Sequence, residues 1–328
     1  MTTSLLQIGE QLTRAIIPVI IVIGVVGNSL NIAVLARRAL YHHACSRYFL
    51  AVAINNLLFS GIFLTYRLSV NGYQIDLANY TGISCKTITY IATVSSFISP
   101  YLIVFASVDR YCASSANAQI RRLSSVRISK WIICTVISVF ALFFIHILVL
   151  FDLQPAFGFI CALQINIIYN QIYITAQVFL YALFAPGFMM IFGLMTIRNT
   201  TRARVVPIAT SRFNRTEHQL ARMLFLQVSV YILLTLPSSI IYLISILSNT
   251  ISSGITFSFS ATVCQLLFDF SYGSSFFLYL LSSHTYRKEL MLLVRKTLRI
   301  RCSNQVGRLD TNNVNLPVAV SAYPQSTA

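Results

Sequence analysis

Charge is scarce in this chain. Of its 328 residues, 10% are Asp, Glu, Lys or Arg, against roughly 25% in an ordinary soluble domain. So few charges cannot cover the surface of a water-soluble globule, which excludes a soluble enzyme or a soluble DNA-binding domain. Acids are scarcer still, with 8 Asp and Glu against 24 Lys and Arg and a net charge of +16. The sequence has no metal-spaced His/Cys cluster, no Gly-rich phosphate loop and no nucleophile beside a base. Catalysis, a cofactor and a bound metal are therefore not expected. Segments of about ten residues with alternating polarity, which a membrane β-barrel needs, are missing, and no stretch repeats another.

What is present is apolar. Hydrophobic residues make up 56% of the chain, and the mean hydropathy is +0.74. Seven runs reach the length of about 20 residues that a helix needs to cross a bilayer: Ala15–Ala36, Tyr48–Leu68, Ser84–Val108, Ile128–Phe151, Ile172–Ile197, Gln219–Leu247 and Ile255–Leu281. Backbone groups in lipid must pair within their own segment, so such runs are helices despite their β-branched content. The expected fold is an all-α membrane protein, a seven-transmembrane helix bundle over 15–283. A short N-terminal segment, 1–14, precedes it, and the first span serves as an uncleaved anchor. An amphipathic juxtamembrane eighth helix is expected over 284–302, followed by a disordered polar tail over 303–328.

Basic residues mark cytoplasmic loops. Alternate loops and the tail hold 21 of the 24, leaving Arg14, Arg67 and Lys86 for the other side. The amino terminus is thus expected outside and the tail inside, a multi-pass arrangement in which the basic excess meets anionic lipid rather than nucleic acid. Two cysteines, Cys85 and Cys161, fall at loop ends on the sparse side, where an oxidising compartment permits a bridge between them. Asn79-Tyr80-Thr81 is the one glycosylation sequon on that side.

Asp109-Arg110-Tyr111 stands at the inner end of the third run, 25 residues beyond Cys85 at Arg110. With it come Gly27-Asn28 in the first run, Leu50–Leu58 with Asn56 in the second, Trp131 in the fourth, Pro186 in the fifth and Pro237 in the sixth. In this order the chain resembles a rhodopsin-like (class A) G-protein-coupled receptor over nearly all of residues 15–296. The resemblance implies a plasma-membrane receptor that passes an extracellular signal to a heterotrimeric G protein. It implies a resting contact between Arg110 and Glu217, broken when the sixth helix pivots at Pro237. It also implies a core polar group of Asn28, Asn56 and Ser275, and a switch tyrosine, Tyr279. Departures are plain. The seventh-helix Asn-Pro-x-x-Tyr reads Ser275–Tyr279, the sixth-helix tryptophan is missing, and the sodium-binding acid is Asn56, so no allosteric sodium site is expected.

The ligand pocket is expected between the third, fifth, sixth and seventh helices. Ala92 stands where amine receptors carry an aspartate, which argues against a biogenic amine. The seventh run has no lysine, which excludes retinal held as a Schiff base. Asp269 is the one acid inside a span, a place where an ionisable group is functional by default. It meets either a basic ligand group or a neighbour such as Tyr66. Arg67 either binds a ligand carboxylate or snorkels to water. Gln177, Tyr242 and Gln265 are polar positions at similar depth. The N-terminal segment is too short for a hormone-binding domain, so the ligand class is a short peptide or small molecule. Residues from His284 to Lys296 can lie on the membrane with Tyr286, Leu290 and Leu293 inward, and Cys302 beyond them is a palmitoylation candidate. Two rival readings remain: a non-signalling decoy of the same fold, and a transporter.

Overall fold

Long apolar runs with few helix breakers give long helices, and seven dominate the protein. The computed structural model describes residues 2–154, 160–163, 167–203, 212–247 and 254–296. Helix α1 is Thr2–Leu35. It begins well before the expected span, so the short N-terminal segment is continuous with it. Helix α2 runs over Ala44–Gly72 and widens to π-helical turns at Phe59–Phe63 and Leu68–Gly72. Helix α3 is Gly82–Ser114, opened by a reciprocal cap in which Thr81 Oγ1 accepts from Ser84 N at 3.0 Å and Ser84 Oγ accepts from Thr81 N at 3.1 Å. Helix α4 is Val126–Phe143, capped by Ser125.

Helix α5 comprises Ile167–Val178, a π-helical stretch Phe179–Phe184 and Ala185–Ala203. The wide turn stands directly before Pro186, where a proline ring would crowd an ordinary α-turn. Helix α6 is Arg212–Leu247, with Pro237 inside it, and α7 is Ile255–Ser282. An eighth helix, α8, covers residues 284–296. Tyr286 on α8 is buried, Leu290 and Leu293 are half-buried, and Arg287, Lys288, Arg295 and Lys296 are exposed.

Six of these helices, α1 to α6, are both long and apolar enough to cross a membrane. Helix α7 has 28 residues, which is length enough, but Gln265, Asp269 and its serines lower its hydropathy. Ser271, Ser274, Ser275 and Ser282 are all buried inside the bundle, so they are shielded from the outer surface. That surface is apolar: Trp131, Leu233, Val149 and Leu281 are each more than two-thirds exposed. Large apolar side chains turned outward together make a surface suited to lipid.

Helix α3 is central and touches α2, α4, α5 and α6, while α1 packs on α7 and α2. The α1–α7 contact depends on small residues. A Cβ at Gly27 would stand 2.9 Å from Phe276 Cβ, and one at Gly273 would stand 3.3 Å from Ile23 Cγ2. The core is strongly aromatic: Phe97 meets Phe144 at 4.9 Å and Tyr181 at 5.7 Å, and Tyr101 meets Phe140 at 4.6 Å. Between α4 and α5 lies an antiparallel hairpin, β1 (Phe151–Gln154) and β2 (Ile160–Leu163), with Leu153 opposite Cys161. The sequence reading places no strand there.

Candidate functional site

The Cys85–Cys161 disulfide forms, with Cα atoms 5.4 Å apart, and fastens β2 to the first turn of α3. Asn79 supports the same junction, since its Oδ1 accepts from Cys161 N at 2.7 Å. Lys86 Nζ reaches Asp152 Oδ2 on β1 at 3.1 Å. The backbone N–H of Leu153 and the Lys86 ammonium hold the Asp152 carboxyl below the ordinary range.

Two cavities open near this disulfide end. The smaller, about 330 Å³, lies between α2, α3, α5, α6 and α7, and Tyr66, Arg67, Ala92, Gln177, Tyr242 and Gln265 all line it. Its remaining wall is largely aromatic, with Phe59, Phe97, Tyr181 and Phe268. The larger, about 450 Å³, is bounded by α1, α2, α6 and α7, and Asp269 lines it beside Glu10. Arg67, Ser238, Tyr242 and Gln265 belong to both.

Two expectations about this region need correction. Tyr66 does not bond Asp269; its hydroxyl donates to Asp76 Oδ1 at 2.7 Å, which also caps Ala78 N at 2.9 Å. Arg67 does not simply reach for water: its Nη1 is 3.0 Å from Asp269 Oδ1, with the arginine side chain 27% exposed and the aspartate 1%. A fully buried carboxylate is costly alone, and the Arg67 guanidinium pairs with it through Oδ1. Gln265 adds a bond to the same oxygen at 3.3 Å.

Asn56 and Ser275 also part company. Asn56 Oδ1 accepts from Ser99 Oγ at 2.6 Å, while its neighbour Asn55 donates to Ser99 Oγ at 2.8 Å and Ser95 O at 2.8 Å. Ser275 instead joins α1: Asn31 Nδ2 donates to it at 3.1 Å, and it donates to Asn28 Oδ1 at 3.3 Å. Asn28 Nδ2 in turn donates to Tyr272 O at 2.9 Å. Tyr286 on α8 closes this series through Asn31 Oδ1 at 2.7 Å.

At the opposite end, Arg110 is buried against Asp109, with Nη2 to Oδ2 at 2.6 Å and Nε to Oδ2 at 3.2 Å. Asp109 Oδ1 accepts from Ser124 Oγ at 2.8 Å, so this carboxylate is engaged on both oxygens. Tyr111 leans on Phe192 of α5, ring centroids 5.8 Å apart. The backbone of Glu217 is helical, but its side chain lies outside the described residues, and so does all of Cys302.

Helix α6 is tied to α7 at this end by two glutamines to which the sequence assigned no role. Tyr279, fully buried, donates to Gln227 Oε1 at 2.7 Å. Gln219 Oε1 accepts from Ser283 Oγ at 3.1 Å and from Thr285 N at 2.9 Å, where α7 turns into α8. The signal for them was two glutamines eight apart at the start of a long apolar run. Farther along α6, hydroxyls surround Pro237: Thr235 Oγ1 donates to Tyr231 O at 2.9 Å and Ser238 Oγ to Thr235 O at 2.8 Å. Glu289 on α8 pairs with Arg37 beyond α1 at 2.5 Å.

A comparison with curated proteins finds no match. The family model described as 7 transmembrane receptor (rhodopsin family) matches residues 27–274. That span takes in the disulfide, both cavities' deeper walls, the Asp109–Arg110 pair and most of α7, and the chain belongs to the rhodopsin family of seven-transmembrane receptors.

Proposed function

We propose that this receptor sits in the plasma membrane with its amino terminus and disulfide outside, and passes binding of a short peptide or small molecule to a heterotrimeric G protein inside. The observation that carries this reading is the continuity of α6. Near its outer half, Ser238 and Tyr242 line both cavities immediately beyond Pro237. Toward its inner end, Gln227 and Gln219 tie it to α7 and to the start of α8. A ligand pressing on Ser238 or Tyr242 acts beside the point where the helix lacks a backbone hydrogen bond. Tilting there breaks the glutamine ties and frees the buried end of α3.

Arg110 is the group that this movement exposes. A guanidinium this buried needs a carboxylate at rest, supplied by Asp109 and, in our assignment, by Glu217 as well. Once uncovered, it meets the G protein, whose acidic groups suit the basic segment from Arg198 to Arg222. Helix α8 rests on the inner leaflet, with Arg287, Lys288, Arg295 and Lys296 toward anionic headgroups. Asn79 carries a glycan, and Cys302 is palmitoylated.

The test is basal G-protein dissociation in cells expressing wild type, Glu217→Ala and the double variant Glu217→Ala/Arg110→Ala at matched surface levels. The expected result is a rise for Glu217→Ala that the added Arg110→Ala abolishes. Silence from every variant across all G-protein classes would leave a decoy of the same fold.

A further inference from the structure

Among the polar atoms of the cavity walls that lack a hydrogen-bond partner, one is an acid's oxygen. Asp269 is 1% exposed, and Arg67 and Gln265 both donate to its Oδ1. Its Oδ2 has no hydrogen-bond partner among the described residues. Asp269 lines the larger cavity. A buried carboxylate oxygen without a donor, on a residue that lines a cavity, is a recognition point for a group that brings one.

Resting on the receptor reading above, we infer that the ligand carries a protonated amine or guanidine that donates to Asp269 Oδ2, with an aromatic or branched apolar body in the smaller cavity. The two cavities meet at Arg67, Ser238, Tyr242 and Gln265, so one ligand can occupy both. The apolar body lies among Phe59, Phe97, Tyr181 and Phe268, whose ring faces also favour a nearby cation. Helix α3 offers no acid at Ala92 in the smaller cavity, but α7 provides one in the adjoining larger cavity. This reverses the expectation against an amine drawn from Ala92.

Arg67 decides between cationic and anionic ligands. Its side chain is long, 27% exposed and able to turn toward water, whereas the aspartate is fixed and almost wholly buried. A ligand cation therefore replaces or joins the guanidinium on a carboxylate that stays in place. A ligand carboxylate reaching Arg67 would stand against the Asp269 anion, already 3.0 Å from the same guanidinium. Glu10 on the larger cavity's wall, held by Gln74 at 3.0 Å and Arg14 at 3.5 Å, adds a second acid on the approach.

The experiment measures thermal unfolding of purified receptor in lipid nanodiscs with three probes of one size: phenethylammonium, hydrocinnamate and phenethyl alcohol, each at millimolar concentration. Phenethylammonium should raise the midpoint of wild type, and should act on Arg67→Gln at roughly tenfold lower concentration, the scale of one charge-assisted hydrogen bond. It should have no effect on Asp269→Asn. Arg67→Lys, which keeps the cation, and each ligand-free midpoint serve as folding controls. Stabilisation by hydrocinnamate instead, an amine effect that survives Asp269→Asn, or no response to any probe in either wild type or Arg67→Gln overturns the assignment. Because no G protein is present, such a failure leaves the signalling reading untouched, and a failure to couple leaves this binding result standing.

Discussion

Removing the Gln227 acceptor isolates the tie between α6 and α7. Tyr279 is fully buried and Gln227 is 5% exposed, so Gln227→Leu leaves a phenolic hydroxyl in an apolar site with nothing to accept its proton. An orphaned buried donor of this kind costs about 1–3 kcal/mol. The cost falls on the resting arrangement alone if α6 leaves α7 on activation. A loss of about 1–2 kcal/mol then raises the ratio of active to resting receptor roughly 5- to 30-fold. Basal nucleotide exchange on purified G protein, with receptor in nanodiscs, reads this directly. Tyr279→Phe strands the other partner and should raise exchange as well. The double variant removes donor and acceptor together and should fall below the sum of the two, with a coupling energy of about 0.5–3 kcal/mol. Strict additivity, or single variants indistinguishable from wild type, refutes a resting-state tie at this position.

Cys85→Ser should lower the thermal midpoint sharply, because the bridge closes a loop of 76 residues, worth about 4 kcal/mol in the chain-entropy account. Dithiothreitol should lower the wild-type midpoint and leave the variant unmoved. Acidification should destabilise the receptor through His43, whose imidazole pKa is held below its ordinary value by burial and by the charge of Arg110. The unfolded chain takes up this proton near pH about 6.5, so the contribution is complete above that pH and is lost as pH falls toward the depressed folded value. The midpoint measured from neutral to mildly acid pH should fall less steeply for His43→Gln than for wild type.

The helices were legible because membrane spans are written as length and hydropathy, and both survive without knowing any neighbour. The Cys85–Cys161 bridge was legible because loop charge placed both residues at one end. What escaped depends on which helix faces meet. Arg67 and Asp269 lie 202 residues apart, and nothing along the chain states that α2 and α7 turn these side chains together. The π-helical turns at Phe59–Phe63 and Leu68–Gly72 alter the register of α2 on either side of Arg67, so ideal helical spacing misplaces its far end. Tyr66, one of two alternatives for Asp269 in the sequence, bonds Asp76 instead. Gln219 and Gln227 have no visible role until α7 and the residue after it supply Tyr279 and Ser283 as partners. Four-residue strands such as β1 and β2 are too short for alternation to mark them, and β1 begins at the last residue of the run expected to be helical.

The central claim is that α6 swings at the Arg110 end. Arg222 is 15 residues before Pro237, a lever of about 22 Å at 1.5 Å per residue. A kink change of about 20° would carry it roughly 8 Å. Spin labels at Arg127→Cys on α4 and Arg222→Cys on α6, both exposed positions, report this distance by double electron–electron resonance once Cys134, Cys264 and Cys302 are replaced by serine. Adding nucleotide-free G protein should lengthen the distance by several ångströms in wild type and leave Arg110→Ala unchanged. A distance distribution that stays fixed in wild type while the G protein is bound would contradict the account.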